Sequence, residues 1–118
     1  MAYIGVYGTL KRGQRANGML ASGTFIGEFK VEIPFQMFNL GSFPALVAAE
    51  ENHPITLEVY EVKDEQTLHS LDRYEGFPGL YQKSNIPVIT FDGTMDVTIY
   101  TMKDKAYHAE LMESGNWE

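Results

Sequence analysis

The chain has 118 residues, which predicts a single domain spanning residues 1–118, and its 44% hydrophobic content is that of an ordinary globular protein. Its net charge of -7 disfavours a nucleic-acid partner, because phosphate binding requires a positive surface. The absence of cysteine excludes disulfides, thiolate catalysis and cysteine-bound zinc, and no apolar run reaches the ~18 residues that a membrane span requires. These features predict a cytoplasmic protein without a membrane partner.

The first half of the chain is typical of β-strands separated by glycine turns. Residues 3–7 are rich in β-forming side chains and end at Gly8, where the chain must turn. A glycine-punctuated loop follows over residues 11–23, with a short helix around residues 17–21. Further strands are predicted over residues 24–37, in two pieces with bends at Gly27 and Pro34, and over residues 45–49 and 55–62.

The last of these strands shows a regular alternation. Ile55, Leu57 and Val59 share one side, whereas Thr56 and Glu58 lie on the other. This period of two residues predicts a half-buried strand.

A helix is predicted next, from Asp64 to about Glu75. An aspartate at the N-cap accepts hydrogen bonds from free backbone N–H groups, and its charge suits the positive end of a helix. Gly76 supplies the left-handed C-cap, and Pro78 prevents the helix from continuing.

Two more strands, over residues 81–91 and 95–102, flank the hairpin signal Asp92-Gly93. The tail over residues 103–118 is expected to carry a short helix. Strands thus outnumber helices, which indicates an α+β domain built on a mixed sheet or a small barrel.

Glu75 stands out on the predicted helix. It shares the apolar stripe with Leu68 and Leu71, whereas Arg73 and Tyr74 turn away. A carboxylate on an apolar face should have a raised pKa, as a general acid and base working near neutrality requires. The alternative is that a side chain in the last turn swings into solvent.

The turn after the first strand is a second candidate. Backbone N–H groups in a glycine turn can point together and form a cradle for a carboxylate or an oxyanion, and Gly8 admits a ligand close to the main chain. The alternative is an ordinary strand-to-loop turn.

Three basic residues lie close together after this turn. Lys11, Arg12 and Arg15 form either an anion-attracting rim beside a pocket or a solvated turn. Both interpretations can hold together.

The remaining candidates are histidines and a tyrosine. His53, His69 and His108 are too scattered to suggest a metal site, and His69 is expected to face solvent. The hydroxyl of Tyr81 could bond to Glu75 or to substrate, or the ring could simply fill the barrel.

Five segments in register resemble the γ-glutamyl cyclotransferase family, in particular its short microbial and plant-stress-type branch and the γ-glutamylamine cyclotransferases. Residues 6–14 are similar to the family's Tyr-Gly-Ser/Thr-Leu signature, and residues 71–76 with 81–83 to Leu-Asp-x-Tyr/Phe-Glu-Gly with a downstream tyrosine and basic residue. Residues 41–46, 57–60 and 114–117 resemble Gly-x-Tyr-Pro-Ala, Gly-Glu-Val/Leu-Tyr and Ser-Gly-Asp-Trp.

The resemblance implies a small mixed β-barrel of six or seven strands, with one main helix, short peripheral helices and a cavity at one mouth. It implies that Glu75 is the catalytic acid and base. It also implies that the turn of Tyr7, Gly8, Thr9 and Leu10 binds a small γ-glutamyl substrate, and Tyr81 is predicted as a further substrate-binding residue.

The reaction so implied needs no metal and no cofactor. The base takes a proton from the substrate α-ammonium group, and the freed amine attacks the γ-carbonyl while main-chain N–H groups stabilise the oxyanion. The products are 5-oxoproline and a free amine.

Two other functions stay open at this point. Leu57 occupies the family's usual glycine position and either crowds the pocket or alters packing, which leaves room for a binding module without turnover that sequesters or senses a small molecule. A third option is an interaction protein that uses the basic residues between Lys11 and Arg15.

Overall fold

One six-stranded mixed sheet dominates the structure, a computed structural model that describes residues 2–77, 79, 81–90, 93–103 and 109–117. A single α-helix, α1 (Glu65–Glu75), and a 3-10 helix (Asn17–Leu20) accompany the sheet in these residues. The predicted mixed sheet with one main helix is therefore confirmed. The strands are β1 (Ala2–Val6), β2 (Thr24–Asn39), β3 (Pro44–Val62), β4 (Gln82–Thr90), β5 (Gly93–Thr101) and β6 (Glu110–Leu111).

The sheet curls but does not close. Its strand order is β4-β5-β1-β3-β2-β6, and β4 and β6 are its edges, with no pairing between them among the described residues. The curl brings β2 and β4 into one apolar cluster. The predicted closed barrel is not observed, because the two-residue β6 covers only the end of β2.

The pairing of β1 with β5 determines where a site can form. It is the parallel pair of the sheet, with Gly5 opposite Ile99, whereas the other neighbouring strands are antiparallel. Parallel strands end at the same edge, so the residues that follow Val6 meet the residues that end β5.

The strands β2 and β3 form one long antiparallel arm rather than the four shorter pieces predicted. The pairing shifts register between Phe25 and Gly27 and between Ile33 and Phe35, so the predicted interruptions at Gly27 and Pro34 are irregularities within one strand. Proline is tolerated at a bulge because no ladder hydrogen bond is required of it there. β3 also runs through residues 50–54, which carry no strand pattern of their own, although its register with β2 skips from Ala48 to His53 beside Pro34.

Both faces of the sheet are buried along the second half of β3. Tyr60 and Val62 of β3 belong to the apolar cluster that contains Leu71 of α1, whereas Leu57 and Val59 belong to the cluster on the opposite face. The prediction that residues 55–62 form a half-buried strand is therefore wrong, because the curl of the sheet covers the second face.

The ends of α1 follow the sequence prediction. The Asp64 carboxylate accepts a 2.9 Å hydrogen bond from the backbone N–H of Thr67. Gly76 adopts the left-handed conformation (φ 68°, ψ 33°) and donates its N–H to the carbonyl of Arg73. Pro78 lies outside the described residues.

The C-terminal part of the chain is partly as predicted. β4 and β5 form the expected antiparallel hairpin, although Asp92 of the turn signal lies outside the described residues. The helix expected in the tail is not found at residues 110–111, which pair with β2 instead, and residues 104–108 are not described. No helix in the described ranges is long and apolar enough to cross a membrane.

Candidate active site

The turn that follows β1 forms one wall of a cavity. Tyr7, Thr9 and Leu10 are buried, and the N–H of Lys11 donates to the Gly8 carbonyl at 3.0 Å, which closes the turn. A side chain at Gly8 could not be accommodated, since a Cβ would lie 2.7 Å from the Pro44 ring. The turn therefore requires glycine for close packing.

The backbone of this turn presents unused donors. The N–H groups of Gly8, Thr9 and Leu10 make no hydrogen bond to any acceptor in the part of the chain that the structure describes. Consecutive free N–H groups at the end of a strand can bind a carboxylate or an oxyanion.

Glu75 is the last residue of α1, and its side chain is half-buried rather than solvated. Burial raises the pKa of its carboxyl group from the ordinary 4.5 to about 7. No described residue donates a hydrogen bond to the carboxylate. It is therefore free to exchange a proton with a bound molecule near neutral pH.

The turn and Glu75 share one cavity of about 250 Å³. The structure thus brings together the six residues predicted for the site, although they come from the turn after β1, the last residue of α1 and the residue before β4. The described residues that line it are Gly5, Val6, Tyr7, Gly8, Thr9, Leu10, Arg15, Phe43, Pro44, Tyr74, Glu75, Tyr81 and Tyr100.

Buried tyrosine hydroxyls anchor the cavity wall. Tyr7 donates a 2.6 Å hydrogen bond to the Tyr100 carbonyl and accepts one from the Leu46 N–H at 3.2 Å. Burial, followed by the proximity of Tyr81 and Glu75, raises the pKa of Tyr7 well above its ordinary value. The Tyr7 hydroxyl therefore stays neutral at physiological pH.

The Tyr81 hydroxyl bonds to a backbone carbonyl and not to Glu75 or to a substrate, the two partners considered from the sequence. Its hydroxyl donates to the Pro44 carbonyl at 3.0 Å. Burial and then the Glu75 charge raise its pKa. The buried ring lines the cavity and belongs to an apolar cluster, so a wall position and a packing role coexist.

Two further tyrosines line the cavity and were missed by sequence reasoning. Tyr74 was expected to turn away and is 42% exposed, yet its hydroxyl is 2.8 Å from the Thr9 hydroxyl and joins the end of α1 to the turn. Tyr100 reaches the cavity through the β1–β5 pairing, which no local pattern predicts. The position of Tyr74 beside Glu75 was the signal available for it.

Tyr100 also connects the cavity to an ion pair. Its hydroxyl donates to Asp72 at 2.6 Å, and the Lys83 ammonium group lies 2.9 Å from the same carboxylate. Although burial raises the pKa of Asp72, the hydrogen bonds from Tyr100 and Lys83 together lower it overall. The network ties α1 to β4 and β5 next to Glu75.

The three basic residues of the N-terminal loop have separate roles. Lys11 is buried and donates to the Trp117 carbonyl at 2.7 Å, and Arg12 donates its backbone N–H to buried Glu58 at 2.9 Å. Arg15 alone of the three lines the cavity. Of the three residues predicted to form a basic rim, only Arg15 therefore lies beside the cavity.

Leu57 does not reach the cavity. It is fully buried in the cluster on the opposite sheet face. The leucine at the family's glycine position therefore packs in that cluster and is not among the residues that line the cavity.

Neither His53 nor His69 lines the cavity. His69 is exposed, as predicted, His53 is half-buried on β3, and His108 lies outside the described residues. Within the described ranges, no three side chains of the metal-binding types lie close enough together to hold an ion.

Comparison with known proteins gives one consistent answer. The family model described as "Gamma-glutamyl cyclotransferase, AIG2-like" matches residues 4–118. A Vibrio cholerae protein, provisionally named a γ-glutamylcyclotransferase, is 34% identical over 112 residues, covering 95% of this chain and 91% of its own length. The γ-glutamylaminecyclotransferase of Mus musculus is 36% identical over 110 residues, covering 81% of this chain and 70% of its own length.

A solved structure supports the same assignment. The crystal structure of an AIG2-like protein from Mus musculus has a TM-score of 0.75 and 30% identity, covering 97% of this chain and 87% of that chain. The fold and the matches define an enzyme of the cyclotransferase class. The chain belongs to the γ-glutamyl cyclotransferase, AIG2-like family, and the resemblance found in the sequence is confirmed.

Proposed function

We propose that this protein cyclises a small γ-glutamyl amine or amide to 5-oxoproline and releases the free amine, with Glu75 as general acid and base. One observation carries the proposal: a half-buried carboxylate with a pKa of about 7 lines the same small cavity as a turn with three free backbone N–H groups. The first is suited to proton transfer and the second to binding negative charge.

The reaction requires a base before it requires an acid. An α-ammonium group is not a nucleophile, so a proton must leave it before its nitrogen can attack the γ-carbonyl carbon. Ionised Glu75 accepts this proton and, as a carboxylic acid, can then donate it to the departing nitrogen. Its pKa of about 7 makes both protonation states accessible near neutrality.

A bond forms between the α-nitrogen and the γ-carbon, and the bond from that carbon to the amine nitrogen breaks. The α-nitrogen loses two protons in becoming the lactam N–H, and the departing nitrogen gains two in leaving as an ammonium ion. Glu75 relays these protons in succession, and the carboxylate is regenerated.

The turn after β1 is proposed to bind the negative groups of the substrate. The α-carboxylate and the oxyanion formed at the γ-carbonyl are both hydrogen-bond acceptors, whereas the lining residues Tyr7 and Tyr81 already donate their hydroxyl protons to backbone carbonyls. The free N–H groups of Gly8, Thr9 and Leu10 are therefore the available main-chain donors in this wall. A donor to a developing oxyanion contributes about 10²–10³ in kcat.

The test is direct detection of both products. Wild-type protein is incubated with a panel of γ-glutamyl amines and γ-glutamyl amides, and 5-oxoproline and the free amine are quantified by mass spectrometry. The proposal predicts equimolar appearance of the two products from at least one class. Binding without product formation across the whole panel would contradict it.

A further inference from the structure

The cavity lining contains one positively charged side chain among its described residues, that of Arg15. Its guanidinium group is exposed, and no described carboxylate lies within 4.0 Å of it. Arg15 is therefore available to an anion that enters this cavity.

The neighbouring cations of the same loop are occupied. The Lys11 ammonium group donates to Asn116 at 3.0 Å as well as to Trp117, and Arg12 lies 3.5 Å from the Glu58 carboxylate and 4.0 Å from the centre of the Phe25 ring. Both side chains thus fasten the loop to the rest of the protein. The loop is thus anchored immediately before Gly13, while Arg15 has no ion-pair or hydrogen-bond partner among the described residues.

Burial gives the cavity an inner end and a mouth. Tyr7, Thr9 and Tyr81 at the inner end are less than a tenth exposed, whereas Arg15 is exposed. The γ-glutamyl group must reach Glu75 and the free N–H groups of the turn, so the amine that departs points toward the mouth. A volume of about 250 Å³ holds a small group only, since pockets for drug-sized ligands have roughly 300–1,000 Å³.

We infer that Arg15 is a specificity-determining residue that binds a carboxylate carried by the departing amine. The inference rests on the proposed function and extends it to the substrate class: γ-glutamyl conjugates of amino acids are favoured over those of uncharged amines, and conjugates of diamines are disfavoured. Arginine suits this role because its planar guanidinium group binds a carboxylate through two parallel hydrogen bonds.

The α-carboxylate of the substrate is the competing ligand for Arg15. It is attached to the same carbon as the α-ammonium group that Glu75 must deprotonate, which places it at the buried end of the cavity. The N–H groups of Gly8, Thr9 and Leu10 serve it there. The exposed guanidinium group is instead located where a substituent on the departing nitrogen leaves the protein.

Matched substrates test the inference. γ-Glutamyl conjugates of ω-amino acids, from glycine to 6-aminohexanoate, are each compared with the conjugate of the corresponding alkylamine, and a diamine conjugate completes the set. Wild type should favour the acid by about tenfold in kcat/KM at the best chain length, the effect of one charge-assisted hydrogen bond. This preference should weaken at high salt, because the contact is exposed.

Variants separate binding of the departing amine from other roles. Arg15→Gln should bring the ratio of kcat/KM for the amino-acid conjugate to kcat/KM for the alkylamine conjugate close to one. Arg73→Gln removes the same charge from an exposed position outside the lining and should leave this ratio unchanged. The inference would be overturned if wild type showed no preference, or if Arg15→Gln lowered kcat/KM equally for the amino-acid conjugate and the alkylamine conjugate.

Failure of the proposed reaction gives a different result. If no conjugate is turned over by wild type, the same matched pairs are compared by calorimetric binding. A tenfold preference for the acid that Arg15→Gln removes would then support the inference without catalysis, and equal affinities would overturn it.

Discussion

The hydroxyl of Tyr7, just beyond the end of β1, donates a 2.6 Å hydrogen bond to the carbonyl of Tyr100, near the end of β5. These residues are 93 positions apart in the chain and meet because the two strands run parallel. The same hydroxyl accepts from the Leu46 N–H, so one buried group joins three strands behind the cavity.

Tyr7→Phe tests this junction. Removal of the hydroxyl leaves a buried N–H and a buried carbonyl without their partner, which should lower the free energy of unfolding by about 1–3 kcal/mol. Urea unfolding measures the change. Tyr3→Phe is the control, since the Tyr3 hydroxyl has no hydrogen-bond partner among the described residues. Equal stability of the two variants would show that the junction contributes nothing.

Gly8→Ala tests the contact between the turn and Pro44. The added methyl group would lie 2.7 Å from two ring carbons, so the turn must move away and displace its free N–H groups. We expect a loss of about 1–3 kcal/mol in stability, as for overpacking in a core, and a loss of 5-oxoproline formation. Gly18→Ala is the control, because a Cβ at Gly18 meets no atom within 4 Å. A fully active Gly8→Ala variant would argue against the turn as a binding element.

The raised pKa of Glu75 predicts an unusual pH dependence of stability. Burial raises its pKa from 4.5 to about 7, so the folded state binds more protons than the unfolded state between these values. Stability from this group is present at low pH and is lost as pH rises toward 7. Allowing for partial exposure, the free energy of unfolding of Glu75→Gln should increase relative to that of wild type by about 1–2 kcal/mol as the pH is raised from 5 to 8.

Denaturant unfolding at the two pH values measures this gain. The exposed Glu65 lies at the other end of α1, so Glu65→Gln provides the baseline for a change of charge on the same helix. If the difference in free energy of unfolding between Glu75→Gln and wild type does not grow with pH, the Glu75 carboxyl group is not desolvated.

The same pKa predicts the pH dependence of the reaction. Glu75 must be ionised to accept the first proton, so kcat/KM should rise with pH and show an ascending limb with an apparent pKa near 7. Initial rates from pH 5 to pH 9 on the best substrate measure it. An ascending limb centred near 4.5 would indicate a solvated carboxyl group.

The parts of the fold that depend on local chemistry were predictable from the sequence. Asp64 and Gly76 bound the helix as their capping preferences require, and Pro34 marks an irregularity in β2. Glu75 was located by its place on the apolar stripe, and the resemblance to a family singled out the turn that shares its cavity.

The parts that depend on tertiary contacts were not predictable. Arg15 could be suspected as part of a rim, but only the packing of Lys11 and Arg12 shows that it alone lines the cavity. Tyr100 lines it through a parallel pairing between distant strands. The burial of both faces of β3 follows from the curl of the whole sheet, which a two-residue alternation cannot reveal.

The proposed reaction depends on the Glu75 carboxyl group to transfer its protons. The most direct measurement compares 5-oxoproline formation by wild type, Glu75→Gln and the exposed control Glu65→Gln on the best substrate, with substrate affinity determined in parallel. We expect Glu75→Gln to lower kcat by about 10²–10⁴ while still binding substrate, and Glu65→Gln to retain wild-type activity. A Glu75→Gln variant with wild-type kcat would overturn the proposed role of Glu75.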